Sequence, residues 1–314
     1  MSISDLGEFG LIEAIAAALP RSDRTVVGIG DDAAVLTAPD ARVVATTDLW
    51  VEGRHFRRDW SSATDIGAKA AAQNLADVAA MGAVPVALLV GFAAPGDLTV
   101  AWARELVAGI AAECSRAGAT VVGGDVSSAE SVVLAITALG DLAGRDPVTR
   151  AGARPGDVLA YAGVLGESAA GLALLEAGLT RPAPLIAAHR RPAPPYHAGP
   201  EAAGLGATAM IDVSDGLLAD AGHLARASGV QIDIGTDRFP GNPALTAAAT
   251  ALGRPGPLDW VLTGGEDHAL AGTFPAGREL PANWTVIGQV REGQGVLVNG
   301  AAVTGRRGWK HFGN

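Results

Sequence analysis

Four times in this 314-residue chain a short apolar run leads into aspartate. Val26-Val27-Gly28-Ile29-Gly30 leads into Asp31-Asp32, and Val43-Val44-Ala45-Thr46-Thr47 into Asp48. Thr120-Val121-Val122-Gly123-Gly124 leads into Asp125, and Met210-Ile211 into Asp212-Val213-Ser214-Asp215-Gly216. Short runs rich in β-branched residues and bounded by glycine read as strands. Placed side by side, such strand ends gather carboxylates that repel one another by several kcal/mol unless cations neutralise them. Carboxylate and hydroxyl oxygens are hard ligands, so the pattern points to Mg²⁺ or Mn²⁺, and through the metal to bound phosphate. The plainer reading is that Asp and Gly are turn residues after strands. Four such sites, with Asp77 on a helix face beside Asn74, favour the metal.

The composition narrows the way phosphate can be held. There are 23 basic against 33 acidic residues, a formal charge of −10, which disfavours nucleic acid or an anionic membrane as partner. Only Lys69 and Lys310 are lysines and no G-x-x-x-x-G-K-[ST] occurs, so a P-loop is excluded. The single cysteine, Cys114, excludes an internal disulfide framework and fits a reducing compartment. Aromatics are 4% and glycines number 42, so the core is expected to be Ala, Val, Leu and Ile. The N-terminal region carries Asp5, Glu8 and Glu13 where a secretory signal is basic. The long uncharged stretch from Val78 to Gly96 is interrupted by Gly82, Pro85 and Gly91. The expectation is a soluble cytoplasmic protein.

Helical spacing runs from Gly7 to Leu19, from Ser61 to Met81 (Ser62 as N-cap, Gly82 as stop) and from Leu98 to Ala117. Strands are expected at Thr25–Gly30, Ala41–Thr47, Val84–Phe92, Ala119–Gly123 and Ser131–Gly140. Turn-forming clusters at Arg145-Asp146-Pro147 and Arg154-Pro155-Gly156-Asp157 place a domain boundary near residue 148. Beyond it come strand Val158–Ala162, helix Ser168–Ala177, a proline-rich loop, strand Ala209–Val213, helix Leu217–Ala227 and strand Gln231–Ile234. Later strands are expected at Trp260–Thr263, Ala269–Phe274, Thr285–Val290 and Gly295–Val298. Mixed elements on both sides of the boundary indicate two α/β-type domains, 1–148 and 149–314.

Gly28-Ile29-Gly30-Asp31-Asp32-Ala33 fits a loose dinucleotide-binding pattern, with Asp48 beyond it. The intervening segment is too short for a crossover helix, and two acids in the loop repel a pyrophosphate, so that reading is set aside. Leu262-Thr263-Gly264-Gly265-Glu266-Asp267-His268 places two acids after a glycine turn. Arg150 could clamp phosphate oxygens or simply lie on the surface. His55 could face a ligand, while His223 and Cys114 read as structural.

In this order, over nearly the whole chain, the motifs resemble the thiamine-monophosphate kinase family. Its superfamily also holds aminoimidazole ribonucleotide synthetase and selenophosphate synthetase. The resemblance rests on Gly7-Glu8-Phe9, Gly28-Ile29-Gly30-Asp31-Asp32-Ala33, Thr46-Thr47-Asp48 and Val51-Glu52-Gly53 with His55-Phe56. It continues through Asn74-Leu75-Ala76-Asp77 with Met81-Gly82, Gly123-Gly124-Asp125, Arg150 with Pro155-Gly156-Asp157, Asp212-Val213-Ser214-Asp215-Gly216-Leu217 and Gly264-Gly265-Glu266-Asp267.

The resemblance implies ATP-dependent phosphorylation of thiamine phosphate to thiamine diphosphate. It implies several Mg²⁺ ions on Asp32, Thr46, Thr47, Asp48, Asp77, Asp125, Asp212 and Asp215. ATP contacts fall on Gly124, Asp125, Arg150 and Ser214, and substrate contacts on His55, Glu266 and Trp309. Asp48, Asp125, Asp212 and Arg150 are the implied catalytic set. The implied fold is a two-domain α/β (α+β) architecture of the aminoimidazole ribonucleotide synthetase type. Its N-terminal sheet forms a dimer barrel in a homodimer, and its C-terminal α/β domain closes the active-site cleft.

The chain departs from the family pattern at Leu49-Trp50, where a smaller Thr-Leu is usual, at Val126 in place of Thr, and at His268 in place of Tyr. The rival readings are another ATP-using member of the superfamily and a non-catalytic metal- or nucleotide-binding regulator. A selenophosphate synthetase expects an N-terminal reactive cysteine and lysine that this chain lacks, and the intact acid set counts against a relic.

Overall fold

The computed structural model describes residues 2–17, 19–20, 22–29, 33–303 and 308, without the side chains of Glu8 and Phe9. Gly30, Asp31, Asp32 and Trp309 therefore lie outside the described residues. The chain divides into two compact units, Met1–Val78 with Ala83–Gly144, and Ala79–Gly82 with Arg145–Asn314.

The first unit contains α1 (Ile3–Ala16), β1 (Thr25–Val27), β2 (Val35–Leu36), β3 (Val44–Val51), α2 (Ala63–Ala80), β4 (Val84–Ala94), α3 (Val100–Ala117), β5 (Thr120–Ser128) and β6 (Val133–Asp141). Strands β1 and β2 form a small antiparallel pair. The other four form a sheet in the order β3-β6-β4-β5, antiparallel except for the parallel β4–β5 pair. Helix α1 starts four residues earlier than its apolar spacing suggests, because Ser2 and Asp5 form a reciprocal capping box, and Gly7 (φ 74) kinks it. Ser62 caps α2 in the same way: its Oγ accepts from Asp65 N–H at 3.2 Å, and its N–H donates to Asp65 Oδ2 at 3.1 Å.

Helix α2 is rich in alanine because it is buried almost all round, with Ala70, Ala71, Ala72, Leu75, Ala76 and Val78 at 0% exposure. It crosses α3 backbone to backbone. A Cβ added at Gly67 would lie 2.0 Å from the Leu106 carbonyl oxygen, and one at Gly109 would lie 2.1 Å from that of Thr64. Cys114 is fully buried on α3, and burial pushes its thiol up to about 12, in keeping with inert packing.

The second unit contains β7 (Val158–Ala162), α4 (Glu167–Glu176), α5 (Ala183–Arg190), α6 (Ala198–Leu205), β8 (Ala209–Val213), α7 (Leu217–Ser228), β9 (Gln231–Ile234), α8 (Pro243–Ala251), α9 (Leu258–Thr263), β10 (Ala269–Phe274), β11 (Trp284–Arg291), β12 (Gly295–Val298) and β13 (Ala301–Ala302). Its seven strands run in the order β13-β12-β9-β11-β7-β10-β8. Ala209, Ile211 and Val213 of β8 pack with Leu217, Leu218, Ala221 and Leu224 of α7 in one core. The fold is the expected mixed α/β class. Among the described residues no helix is long and apolar enough to cross a membrane.

Three expectations are corrected. Trp260–Thr263 is the end of helix α9, not a strand, since a four-residue apolar run carries no periodicity that separates the two. The proline-rich loop holds α5 and α6, with Pro184 in the first turn of α5, where a missing N–H costs nothing. The acids do not follow their strands but sit inside them: Asp48 pairs with Ile136, Asp125 with Gly91 and Asp212 with Leu270. All three of those strands, β3, β5 and β8, are sheet edges in the described structure. Edge strands tolerate charged side chains, and Asp125 is exposed there, whereas Asp212 is buried.

Candidate active site

Strand alternation divides the Thr46-Thr47-Asp48-Leu49-Trp50 run into two faces. Thr46, Asp48 and Trp50 turn towards α2. Thr46 Oγ1 donates to Asp77 Oδ2 at 3.0 Å, and Gln73 Nε2 donates to Asp48 Oδ2 at 2.9 Å. Trp50 is 1% exposed, and its Nε1–H donates to Gln73 Oε1 at 3.0 Å. Thr47 and Leu49 turn to the opposite face. The Thr47 hydroxyl donates to the Ile136 carbonyl at 3.1 Å, and Thr137 Oγ1 lies 3.1 Å from it. The Thr47 side chain is therefore not brought together with Asp48. His55 accepts the Val51 N–H at Nδ1 (3.0 Å), which leaves the proton of the neutral ring on Nε2.

Asp125 is exposed on the far edge of this sheet, in one row with Gly91, Ala135 and Leu49. Three strand spacings, about 14 Å along the sheet, separate its strand from that of Asp48. Gly124 and Asp125 border an apolar cavity lined by Ile12, Ile15, Phe92 and Ile110.

In the second unit the turn after β8 lies directly against the glycine turn before β10. Glu266 N–H donates to the Ser214 carbonyl at 2.8 Å, and His268 N–H to that of Val213 at 3.1 Å. Only glycine fits such an approach: a Cβ at Gly265 would lie 2.2 Å from the Ser214 carbonyl, and one at Gly216 (φ 120) 2.6 Å from that of Thr263. Glu266 (φ 65) and His268 (φ 53) both adopt left-handed backbone, the kind of stored strain that collects at ligand-binding turns. Glu266 Oε2 lies 3.6 Å from His189 Nδ1. His268 Nδ1 lies 3.2 Å from Asp212 Oδ2, and both residues are buried. Gly308, the neighbour of Trp309, rests against the Asp215 carbonyl, which a Cβ there would meet at 2.5 Å.

Arg150 is exposed beside the outer edge of β8, where Met210 N–H donates to the Thr149 carbonyl at 3.0 Å. Its charge reaches His223, whose pKa is lowered by burial first and then by Arg150 and Arg226, with Asp215 opposing. His223, read as structural in the sequence, thus shares an electrostatic neighbourhood with two candidate site residues.

Asp220 escaped sequence reasoning, and Asp267 entered it only as one of two acids after a glycine turn. Asp220 Oδ2 accepts the N–H groups of Asp215 (3.1 Å) and Gly216 (3.0 Å), holding the turn at the start of α7. Burial pushes its carboxyl up to about 8, and the charges of Asp212 and Asp215 add to the shift. Asp267 accepts N–H from Gly166 (2.5 Å) and Ser168 (2.7 Å), tying the glycine turn to α4. The sequence signal for Asp220 was its place four residues after Gly216, whereas Asp267 lies within the Gly264-Gly265-Glu266-Asp267 motif.

Burial pushes the Asp267 carboxyl up from an ordinary 3.8 to about 7. Between those values the folded protein keeps a proton that the unfolded chain has released. Stability is therefore expected to fall as pH rises from about 4 to about 8, Asp220 adding a contribution of the same sign to that of Asp267. Urea unfolding at pH 5 and pH 8 measures this, and Asp267→Asn is expected to reduce the difference, leaving the part due to Asp220. A wild-type protein that gains stability over that window contradicts the assignment.

The donors present fit Mg²⁺. They are carboxylate and hydroxyl oxygens, and the charges of Asp212 and Asp215 are both felt at Asp220, a local negative excess that a divalent cation relieves. In the first unit Asn74, fully buried on the helix that carries Asp77, has an Oδ1 without a hydrogen-bond partner among the described residues. Among those residues no three His, Cys, Asp or Glu side chains converge on one point.

The family model described as "AIR synthase related protein, N-terminal domain" matches residues 30–142. A thiamine-monophosphate kinase of Mycobacterium tuberculosis is 49% identical over 314 residues, covering 99% of this chain and 93% of that protein. The crystal structure of the thiamine monophosphate kinase from Aquifex aeolicus superposes with a TM-score of 0.79 at 36% identity, covering 96% of this chain and 99% of that one. AaThiL complexed with AMPPCP and TMP superposes with a TM-score of 0.80 at 37% identity, covering 99% of both chains.

Proposed function

This chain belongs to the thiamine-monophosphate kinase family, so it is an ATP-dependent kinase of thiamine phosphate, and we propose that it works by Mg²⁺-assisted in-line transfer. The observation that carries this reading is the end-to-end similarity to AaThiL complexed with AMPPCP, an ATP analogue, and TMP.

The proposed metal-holding residues are Asp32, Thr46, Asp48, Asp77, Asp125, Asp212 and Asp215; Thr47, whose hydroxyl is turned to the Ile136 carbonyl, is left out of the implied set. Of these, Thr46 and Asp77 are joined by a hydrogen bond and Asp48 is held by Gln73, while Asp32 lies outside the described residues. Bound Mg²⁺ supplies neutralisation of phosphate charge. Gly124, Asp125, Arg150 and Ser214 are assigned to ATP. His55, Glu266 and Trp309 are assigned to thiamine phosphate. A phosphate oxygen of the substrate is already anionic, so no strong general base is needed. It forms the new bond to the γ-phosphorus as the bond to the β-phosphate oxygen breaks, and ADP leaves with that electron pair. The exposed Arg150 guanidinium then has the role of a fixed donor to phosphate oxygens.

Residues 1–148 are proposed as the ATP- and Mg²⁺-binding, dimer-forming domain and 149–314 as the second α/β domain. Leu49 is 63% exposed and Val43 56%, both large apolar side chains on β3 and the turn before it, which supports a homodimer covering this edge of the sheet. The acidic charge and the free, buried Cys114 support a cytoplasmic protein without nucleic-acid or membrane partners.

Incubation with ATP, Mg²⁺ and thiamine phosphate, followed by chromatography, is expected to yield thiamine diphosphate and ADP in equal amounts. ADP and free phosphate without thiamine diphosphate would overturn the proposal.

A further inference from the structure

Behind Asp48, Gln73 and Trp50 stand in line. The indole N–H donates to Gln73 Oε1 at 3.0 Å, and Gln73 Nε2 donates to Asp48 Oδ2 at 2.9 Å. An indole nitrogen can only donate and a carboxylate can only accept. A carboxamide between them therefore has a single orientation. Glutamate cannot donate, methionine cannot donate and accepts only weakly, and asparagine is a methylene shorter.

The indole is itself immobile. Trp50 is 1% exposed, stacked on Phe56 (6.1 Å, 16°) and tilted against His55 (6.0 Å, 32°), with the Lys69 ammonium 5.8 Å from the ring centroid. The same ring thus backs His55 on one side and fixes Gln73 on the other.

We infer that Gln73, locked by Trp50, is the positioning residue that presents the Asp48 carboxylate to a divalent cation. Occupying Oδ2 leaves the second carboxylate oxygen aimed by the relay rather than by rotation about the side-chain bonds. The inference rests on the reading of Asp48 as a metal-holding residue. It accounts for tryptophan at a position where the family resemblance leads one to expect a smaller residue.

The test is Mn²⁺ binding to the full-length enzyme, followed by electron paramagnetic resonance without substrate turnover. Gln73→Met, which keeps the volume and removes both hydrogen bonds, is expected to weaken Mn²⁺ binding by about tenfold. Trp50→Phe is expected to weaken it roughly threefold, and to add nothing in the Gln73→Met background, because both act through one relay. In steady-state assays the Mg²⁺ concentration for half-maximal rate is expected to rise by the same factor, with KM for thiamine phosphate unchanged in Gln73→Met. Unaltered Mn²⁺ affinity in folded Gln73→Met, or additive losses in the double variant, overturns the inference. If Gln73→Met does not fold, Trp50→Phe decides alone, and wild-type affinity there overturns it too. Failure of the unsubstituted enzyme to make thiamine diphosphate counts against the kinase reading only, since the Mn²⁺ titration needs no turnover.

Discussion

Asp48→Asn is expected to lower kcat by about 10²–10³-fold or more while leaving the fold intact. The substitution is nearly isosteric, and the asparagine oxygen can still accept from Gln73 Nε2, which now reaches Asp48 at 2.9 Å. What disappears is one negative charge. If that charge helps hold Mg²⁺ against the phosphates, its loss removes stabilisation exerted on the transferring group, and transfer slows far more than folding suffers. The effect exceeds that of Gln73→Met because the second substitution misaims a ligand, whereas the first removes it. Asp212→Asn is expected to behave alike, its contact to His268 being retained through the remaining oxygen. Coupled measurement of ADP release and thermal unfolding separates the two quantities. Near-normal turnover in both variants would sink the metal-assisted account.

The largest structural effect is expected at Gly67. In an ordinary helix interior, glycine to alanine stabilises by about 1 kcal/mol, because the backbone loses less entropy on folding. Gly222, inside α7, has nothing within 4 Å of an added Cβ, so Gly222→Ala is expected to follow that rule. Gly67→Ala has the opposite sign, because its Cβ would lie 2.0 Å from the Leu106 carbonyl oxygen and 3.1 Å from the Ile110 nitrogen. Both obstacles are backbone, which cannot swing aside, so α2 must lift from α3. Overpacking of this kind costs about 1–3 kcal/mol and at times more, which exceeds the propensity gain. Because α2 also carries Gln73 and Asp77, Gly67→Ala is expected to lose activity along with stability. Denaturant unfolding of the two variants gives opposite shifts if the crossing is as close as described; equal shifts would contradict it.

Much of the second unit was legible from local pattern. Val158–Ala162, Ala209–Val213, Gln231–Ile234, Ala269–Phe274 and Gly295–Val298 are strands with the expected limits. These are short apolar runs cut off by Gly, Asp or Pro, signals that act within a few residues. The first unit was less legible where strands run past their apolar stretch. Strand β3 continues to Val51 and β5 to Ser128, through Asp48 and Asp125, because backbone pairing with a neighbour outweighs the turn preference of Asp and Gly. Helix α9 was misread because tertiary packing of Trp260 and Leu262, not periodicity, decides between helix and strand over so few residues.

By itself the sequence determined the chemistry available: an acid set without a P-loop lysine, oxygen donors suited to Mg²⁺, and the ordered motifs that identify the family. Those are properties of residue type and spacing, which survive any folding of the chain. Only the tertiary structure decided which donors act together. It set Asp48 behind Gln73 and Trp50, turned the neighbouring Thr47 to the other face, and brought His268 to Asp212 across 56 residues. It also buried Asp220 and Asp267 under backbone N–H groups, where two ordinary-looking aspartates acquire raised pKa values. Strand alternation can be counted along a chain. The partner on the next helix or turn is fixed by packing between distant segments, and that is set by shape and burial.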